Sequence, residues 1–401
     1  MAAGVRAGGL SAADLVADAL SAATALDPVL HFVDSLAPDS ALEAAVRIDA
    51  LPLGRRDGLP LAGVPFLAKA GTTVDSPVVG RLVHAGAVLL GTSTRPDPAA
   101  VCQAWGWNGR EHTSNPWRTD RSSGGSSAGA AAAVAAGVVP VATGGDSAGS
   151  LRIPAAFCGV TALKGTYGRV ARPAGRSLAQ LTVAGVIGAD LTDTVLATSI
   201  ASGPDPRDPT ALPQWLVPDA AGRRLTVGFS ADLGYARPDA AVAELVLGRL
   251  KALAADGMIR LHQVMVRLAD PAEAWMPLAA LDRGQIADPS QVTRAQQVRR
   301  HNDYELAALF GYVDVLVTPT TPQTAFPLGD YEANLPAGDL CWAFNLSGYP
   351  AVTVPAGLLD GLPVGLQAVA VPHRDDLAVE LAGLAAVSLP DPPIRWPAAR
   401  G

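Results

Sequence analysis

Two serines, Ser147 and Ser150, stand close together in the stretch Gly145-Asp-Ser-Ala-Gly-Ser150. A serine hydroxyl becomes a useful nucleophile only beside a base, and attack on a carbonyl also needs hydrogen-bond donors for the developing oxyanion. Ser147 fits G-x-S-x-G, the pattern of a sharp strand-to-helix turn that exposes a nucleophile. Gly125-Ser-Ser-Ala-Gly129 fits it as well, so the pattern is cheap in this Gly/Ser/Ala-rich region. Ser150 fits no such short pattern. Lysine usage points to a base: of 30 basic residues only three are lysines, Lys69, Lys164 and Lys251. Lysine, unlike arginine, can shed its proton when buried. Lys69 in GVPFLAKAG and Lys164 in VTALKGTYG have apolar, glycine-containing flanks, whereas Lys251 in LGRLKALAADG reads as the polar face of a helix.

With Ser147 as nucleophile, an acid and then a histidine should follow along the chain. His262, His301 and His373 do lie downstream, but no HGGG-type oxyanion loop precedes the serine. The blander readings are plain. A Gly/Ser loop is most often only a loop, a lysine at the end of an apolar strand can snorkel to water, and Asp146 and Arg152 could be any surface pair. The six histidines lack metal-ligand spacing, and His112, in REHTSNPW, reads as a loop hydrogen-bonder. No metal and no organic cofactor is implied.

The elements that must position these residues alternate between short apolar runs and helical stretches, the mark of α/β layering. Helices are expected at 11–26, with Ser11 as N-cap, and at 39–50, joined by a loop around Asp27-Pro28. Strands are expected at 64–68, 87–90 (ended by Gly91), 138–142, 224–230, 313–318 and 351–354. Helices are expected at 77–85, 127–137 (Ala-rich), 239–256 and 377–386. The stretch 94–125 reads as loop-rich and 204–218 as a surface connection.

The 401 residues show no confident internal boundary, so one domain over 1–401 is expected. Hydrophobic residues make up 49%, a figure inflated by alanine, so the core side chains are small. A net charge of -7 and a pI near 5.4 argue against nucleic acid or an anionic membrane as partner. The three cysteines, Cys102, Cys158 and Cys341, are sparse and widely spaced, which suits a reducing compartment. Cys158 reads as core. The start lacks the basic and apolar regions of a signal peptide, and the apolar stretch 128–142 is too short and Ala/Gly-rich to span a bilayer. A cytoplasmic protein is expected, with a homodimer left open.

Taken whole, the serine region resembles the amidase signature family. GGSSAG at Gly124–Gly129 is similar to its G-G-S-S-G-G. GGDSAGSLRIPA, FCG and LKGT are similar to its G-T-D-x-G-G-S-I-R-x-P-A and to the Phe-Cys-Gly and Leu-Lys-Pro-Thr beyond. Upstream, GVPFLAK, AGAVLLGTST and NPW resemble further motifs; downstream, VDVLVTPTTP, FNLSGYPAVTVPAG and GLPVGLQ resemble the closing ones. The resemblance runs over nearly the whole chain. It implies a single α/β/α domain with a mixed central β-sheet, and an amidase that cleaves a carboxamide through an acyl-enzyme on Ser150. Lys69 would act as base, Ser126 as the relay between Lys69 and Ser150, and a cis peptide bond would precede Ser126. The backbone N–H groups of Ser147, Ala148 and Gly149 would face the oxyanion, and Asp146 and Arg152 would hold the loop as an ion pair. A small-molecule amide is the expected substrate, hydrolysed by water or passed to an amine. The runner-up is a degenerate member serving as a binding or assembly subunit.

This sequence departs from the family pattern in places. Ala70 replaces the Asp that usually follows the lysine, Gly145 replaces Thr, Ala148 replaces Gly, and Gly165 replaces Pro. Between Gly71 and Asp75 the chain crosses at once to the next helix, and 230–340 is short for the family. No catalytic hydroxyl or amine is lost. A reshaped, more open acyl pocket, or weakened activity, is the expectation.

Overall fold

The computed structural model describes residues 1–97, 100, 103–172, 179–216, 223–282, 284–329, 331 and 335–397. Cys102 and parts of the expected connections at 94–125 and 204–218 lie outside them. Thirteen strands occur among the described residues: β1 (Val33–Leu36), β2 (Pro65–Lys69), β3 (Val88–Ser93), β4 (Ser114–Asn115), β5 (Arg118–Ser122), β6 (Val141–Asp146), β7 (Thr161–Lys164), β8 (Val183–Gly188), β9 (Leu225–Phe229), β10 (Ile259–Gln263), β11 (Val315–Pro319), β12 (Ala351–Leu359) and β13 (Leu362–Val369). Eleven join one sheet in the order β1-β3-β2-β6-β8-β7-β12-β13-β11-β9-β10, and β4 and β5 form a separate pair. The sheet is mixed. β2 runs parallel to β3 and β6, while β6, β8, β7 and β12 alternate antiparallel. This is a single α/β domain with a large mixed central sheet.

Alternation along β2 explains why helices cover both faces. Phe66 and Ala68 pack with helices Pro77–His84 and Leu191–Ala201. Leu67 points the other way, into a core built by helices Ala12–Leu30 and Ala128–Ala135. The period of two puts Lys69 on the Leu67 face, toward the start of Ala128–Ala135. That helix is buried along its whole length. Its small side chains allow the close approach: a Cβ on Gly129 would lie 2.3 Å from the Phe32 carbonyl oxygen. A larger side chain here would cost about 1–3 kcal/mol through forced shifts.

Several boundaries differ from the sequence expectation. Ser11 caps its helix through Asp14 N–H, but the helix runs through Pro28 to Leu30 instead of breaking at Asp27-Pro28. Proline in the last turn forfeits one backbone bond where few remain to be made, and the helix closes with His31 in the left-handed region. Strand β3 continues past Gly91, whose φ of 150° and missing side chain admit β1; a Cβ there would sit 2.1 Å from the Ser35 carbonyl oxygen. β6 begins at Val141, so the glycines at 144 and 145 belong to a strand rather than a loop. Strands β7, β8, β10 and β13 and helices Ala272–Asp282 and Pro289–Leu309 had no counterpart in the sequence reading. No described helix is long and apolar enough to cross a membrane.

Candidate active site

Lys69 ends β2, Ser150 follows β6 and Ser126 precedes the buried helix, so the ends of two adjacent interior strands and the start of that helix bring the three into one region. Lys69 Nζ lies 2.7 Å from Ser126 Oγ; the amine donates in this bond when protonated and accepts when neutral. The Gly125–Ser126 peptide bond is cis. Gly125 packs against the main chain of Trp105, where a Cβ would fall 2.5 Å from the Trp105 nitrogen. The two serine loops are tied by the Ser127 N–H, which donates to the Ser150 carbonyl at 3.1 Å. Among the described residues no hydrogen bond joins Ser126 Oγ to Ser150 Oγ, so the Lys69–Ser126 link is made and the next is not. All three side chains are half-buried.

Burial lowers the Lys69 pKa from its ordinary value to about 7. The guanidinium charges of Arg95 and Arg172 push the same way, and Asp146 opposes them. A large fraction of this amine is therefore neutral near pH 7. Lys164, at the end of β7, is fully buried and also lowered to about 7 by burial. Its Nζ contacts only the Gly165 carbonyl, at 3.3 Å, among the described residues.

The loop after β6 is held from beneath by Asp146 and Arg152, both fully buried. Arg152 grips the carboxylate with Nε at 2.9 Å and Nη2 at 2.8 Å. Its other nitrogen donates to Gln367 Oε1 at 2.7 Å and to the Cys341 carbonyl at 3.0 Å. Asn345 Nδ2 adds a bond to Asp146 Oδ1 at 3.0 Å. Burial alone would raise the Asp146 pKa, but Arg152 overrides it and holds the carboxyl well below the usual range. The pair is fully hydrogen-bonded, the condition under which buried charges are tolerated.

The same carboxylate shapes the backbone donors. Asp146 Oδ1 accepts from the Gly149 N–H at 2.8 Å and Oδ2 from the Leu151 N–H at 3.2 Å. Of the three donors expected at the oxyanion, Gly149 is therefore engaged elsewhere. The N–H groups of Ser147, Ala148 and Ser150 make no hydrogen bond among the described residues. Gly149 has φ 109°, and a Cβ there would fall 2.8 Å from Cys341 Cβ; the turn demands glycine. The Ser147 hydroxyl is turned aside, 2.7 Å from Thr182 Oγ1, and its carbonyl accepts from the Trp275 indole at 2.9 Å.

Beside these groups opens a cleft of about 690 Å³, lined by Lys69, Ser126, Gly144, Ser147 and Trp275; Ser150 is not among its lining residues. The short connection at Gly71, Thr72, Thr73 and Asp75 makes one wall beside Lys69. His112 is a loop hydrogen-bonder, with Nδ1 2.7 Å from the Tyr331 hydroxyl. Cys158 and Cys341 are buried free thiols. Sequence reasoning missed Asn345 and Gln367, although both lie within the quoted closing motifs FNLSGYP and GLPVGLQ. Trp275, Arg95 and Arg172 carried no signal; only the fold brings them to the cleft.

A mixed α/β sheet that presents, at the ends of adjacent interior strands, a lysine–serine pair and a glycine turn whose N–H donors are unengaged among the described residues defines a class, α/β proteins with the parts for serine acyl chemistry. The comparisons narrow this. The Amidase family model matches residues 66–285 and 268–379. A glutamyl-tRNA(Gln) amidotransferase subunit of Chloroflexus aggregans is 32% identical over 451 aligned positions, covering 92% of this chain and 91% of the relative. The structure of a bacterial aryl acylamidase, 24% identical, superposes with a TM-score of 0.83 over 96% of this chain and 94% of its own. That of PAM12A, 27% identical, gives 0.81 over 98% and 97%. The chain belongs to the amidase signature family. The alignment with the Chloroflexus relative is longer than the chain itself, which accords with the shortened segments noted above.

Proposed function

We propose that this protein is an amidase that cleaves a small-molecule carboxamide through an acyl-enzyme on Ser150. The observation that carries the reading is the contact of 2.7 Å between Ser126 Oγ and a lysine amine lowered to about 7. Neutral Lys69 takes a proton from Ser126, which takes one from Ser150 as the Ser150 oxygen attacks the carbonyl carbon. Free N–H groups of the turn at Ser147–Ser150 receive the oxyanion. When the tetrahedral intermediate collapses, Ser126 returns a proton to the departing amine nitrogen. Water then attacks the acyl-enzyme and releases the acid; an amine in its place gives acyl transfer. The proposed mechanism needs Ser126 and Ser150 to come into hydrogen-bond contact on substrate binding, as catalytic hydrogen bonds commonly tighten in the Michaelis complex.

A second reading is an assembly subunit with little activity of its own. The missing Ser126–Ser150 hydrogen bond favours it, as does the likeness to a relative named as part of an amidotransferase. A fluorophosphonate probe separates the two. The amidase labels at Ser150, Ser150→Ala abolishes labelling, and Ser147→Ala leaves it intact with the protein folded. Wild-type protein that stays unlabelled, or labels on Ser147, overturns the assignment.

A further inference from the structure

The cleft carries more positive charge than a neutral amide can use. Among the described residues six charged side chains line it: Lys69, Asp75, Arg95, Arg172, Arg207 and Asp282. Arg207 grips Asp205 through Nε and Nη2 at 2.9 and 2.8 Å, and the Asp75 charge acts on it as well. Asp282 accepts from the Ala179 N–H at 2.8 Å. Lys69 bonds Ser126. Arg95 and Arg172 remain, and among the described residues neither guanidinium makes a hydrogen bond or an ion pair.

Both guanidinium groups are exposed at the cleft mouth, and the fold anchors the backbone that carries them. Arg95 follows β3, whose Ser93 pairs with Lys69. Its guanidinium lies over Gly71, where a Cβ would fall 3.4 Å from Arg95 Cζ and where φ is 83°. Arg172 follows the buried Ala171, and its main-chain N–H is anchored to the Asp208 carboxylate at 2.7 Å. Both guanidinium charges act on the Lys69 amine, and neither has a hydrogen-bonded or ion-paired acidic partner among the described residues. Guanidinium forks match the two oxygens of a carboxylate, and a cleft focuses their field toward an incoming anion.

We propose that the amide substrate carries a second, negatively charged group of carboxylate type, which docks between Arg95 and Arg172 while the carboxamide lies over Ser150. The proposal rests on the reading of Lys69, Ser126 and Ser150 as the amidase machinery. It makes Arg95 and Arg172 specificity-determining residues that touch the substrate away from the reacting bond.

The test compares matched amides, succinamate and glutaramate against the neutral succinamide and glutaramide. It is run at low ionic strength, and because acid and diamide are compared on the same variant at the same pH, the protonation of Lys69 cancels in the ratio. Wild type should favour the acids by about tenfold or more in kcat/KM, mostly through KM. Arg95→Gln and Arg172→Gln should each reduce that ratio, and the double variant should bring it to about one. A second arm needs no turnover: glutarate titrated calorimetrically into Ser150→Ala protein should bind, and should bind at least about tenfold more weakly when Arg95→Gln and Arg172→Gln are added to that variant. Preference for the diamides, a ratio unchanged in the double variant, or absence of glutarate binding to Ser150→Ala overturns the proposal. Absence of labelling at Ser150 with glutarate binding intact would instead sink the catalytic reading and leave the anion site standing.

Discussion

Lys69 makes activity a reporter of its own protonation. An amine at the ordinary value of 10.5 would be neutral in about three molecules in ten thousand at pH 7; lowered to about 7, it is neutral in about half. Burial, with the charges of Arg95 and Arg172, thus supplies roughly a 10³-fold gain in neutral amine. The sign follows directly. In the proposed mechanism the neutral amine is the active form, so activity should be present above pH 7 and lost below it, falling about tenfold per unit. The assay is the second-order rate of fluorophosphonate labelling at Ser150 against pH, which needs no known substrate. A single inflection near 7 with a plateau above is expected. Arg95 and Arg172 both lower the Lys69 pKa and Asp146 raises it. Removing a positive neighbour must therefore raise it, and Arg95→Gln should move the inflection to higher pH. Because Arg95 is exposed, the displacement should shrink as salt rises. Full reactivity at pH 5.5, an inflection near 10.5, or an acid shift in Arg95→Gln would refute the reasoning.

Lys69→Arg retains the charge but not a usable base, so labelling should fall by about 10²–10⁴-fold in a protein with unchanged circular dichroism. Asp146→Asn leaves the Arg152 charge uncompensated in a fully buried site; urea unfolding should show a loss of about 3–5 kcal/mol. Gly149→Ala places a Cβ 2.8 Å from Cys341 Cβ and 2.9 Å from Ile153 at a φ of 109°. It should cost about 1–3 kcal/mol by the same measurement, with a marked drop in labelling because the turn that presents Ser150 is displaced.

The sequence by itself determined a good deal about this protein. Alternation of short apolar runs with helical stretches determined the α/β class, because a strand buried on both faces must be apolar throughout and must be covered by helices. The family resemblance carried Lys69, Ser126 and Ser150, because the chemistry tolerates few replacements and the motifs around them are rigid in spacing. Boundaries were less legible. Pro28 reads as a breaker yet lies inside a helix, since the signal for a stop is local while the cost of proline depends on how many backbone bonds remain to be lost. Gly144 and Gly145 fall beyond the strand expected at 138–142 yet lie in β6; the packing that calls for glycine, with a Cβ on Gly144 2.5 Å from Ser127 Oγ, leaves no trace along the chain.

Tertiary structure alone decided what surrounds the chemistry. Asp146 could be expected to pair with Arg152, but that its carboxylate also takes the Gly149 N–H, leaving the donors of Ser147, Ala148 and Ser150 free among the described residues, depends on hydrogen-bond geometry. Arg95, Arg172 and Trp275 come from three distant segments and meet only when β2, β3 and β6 are side by side and helix Ala272–Asp282 lies over their ends. Residue type fixes what each group can do in water. Burial and neighbouring charge decide whether Lys69 is an acid or a base at pH 7, and those are properties of the folded chain.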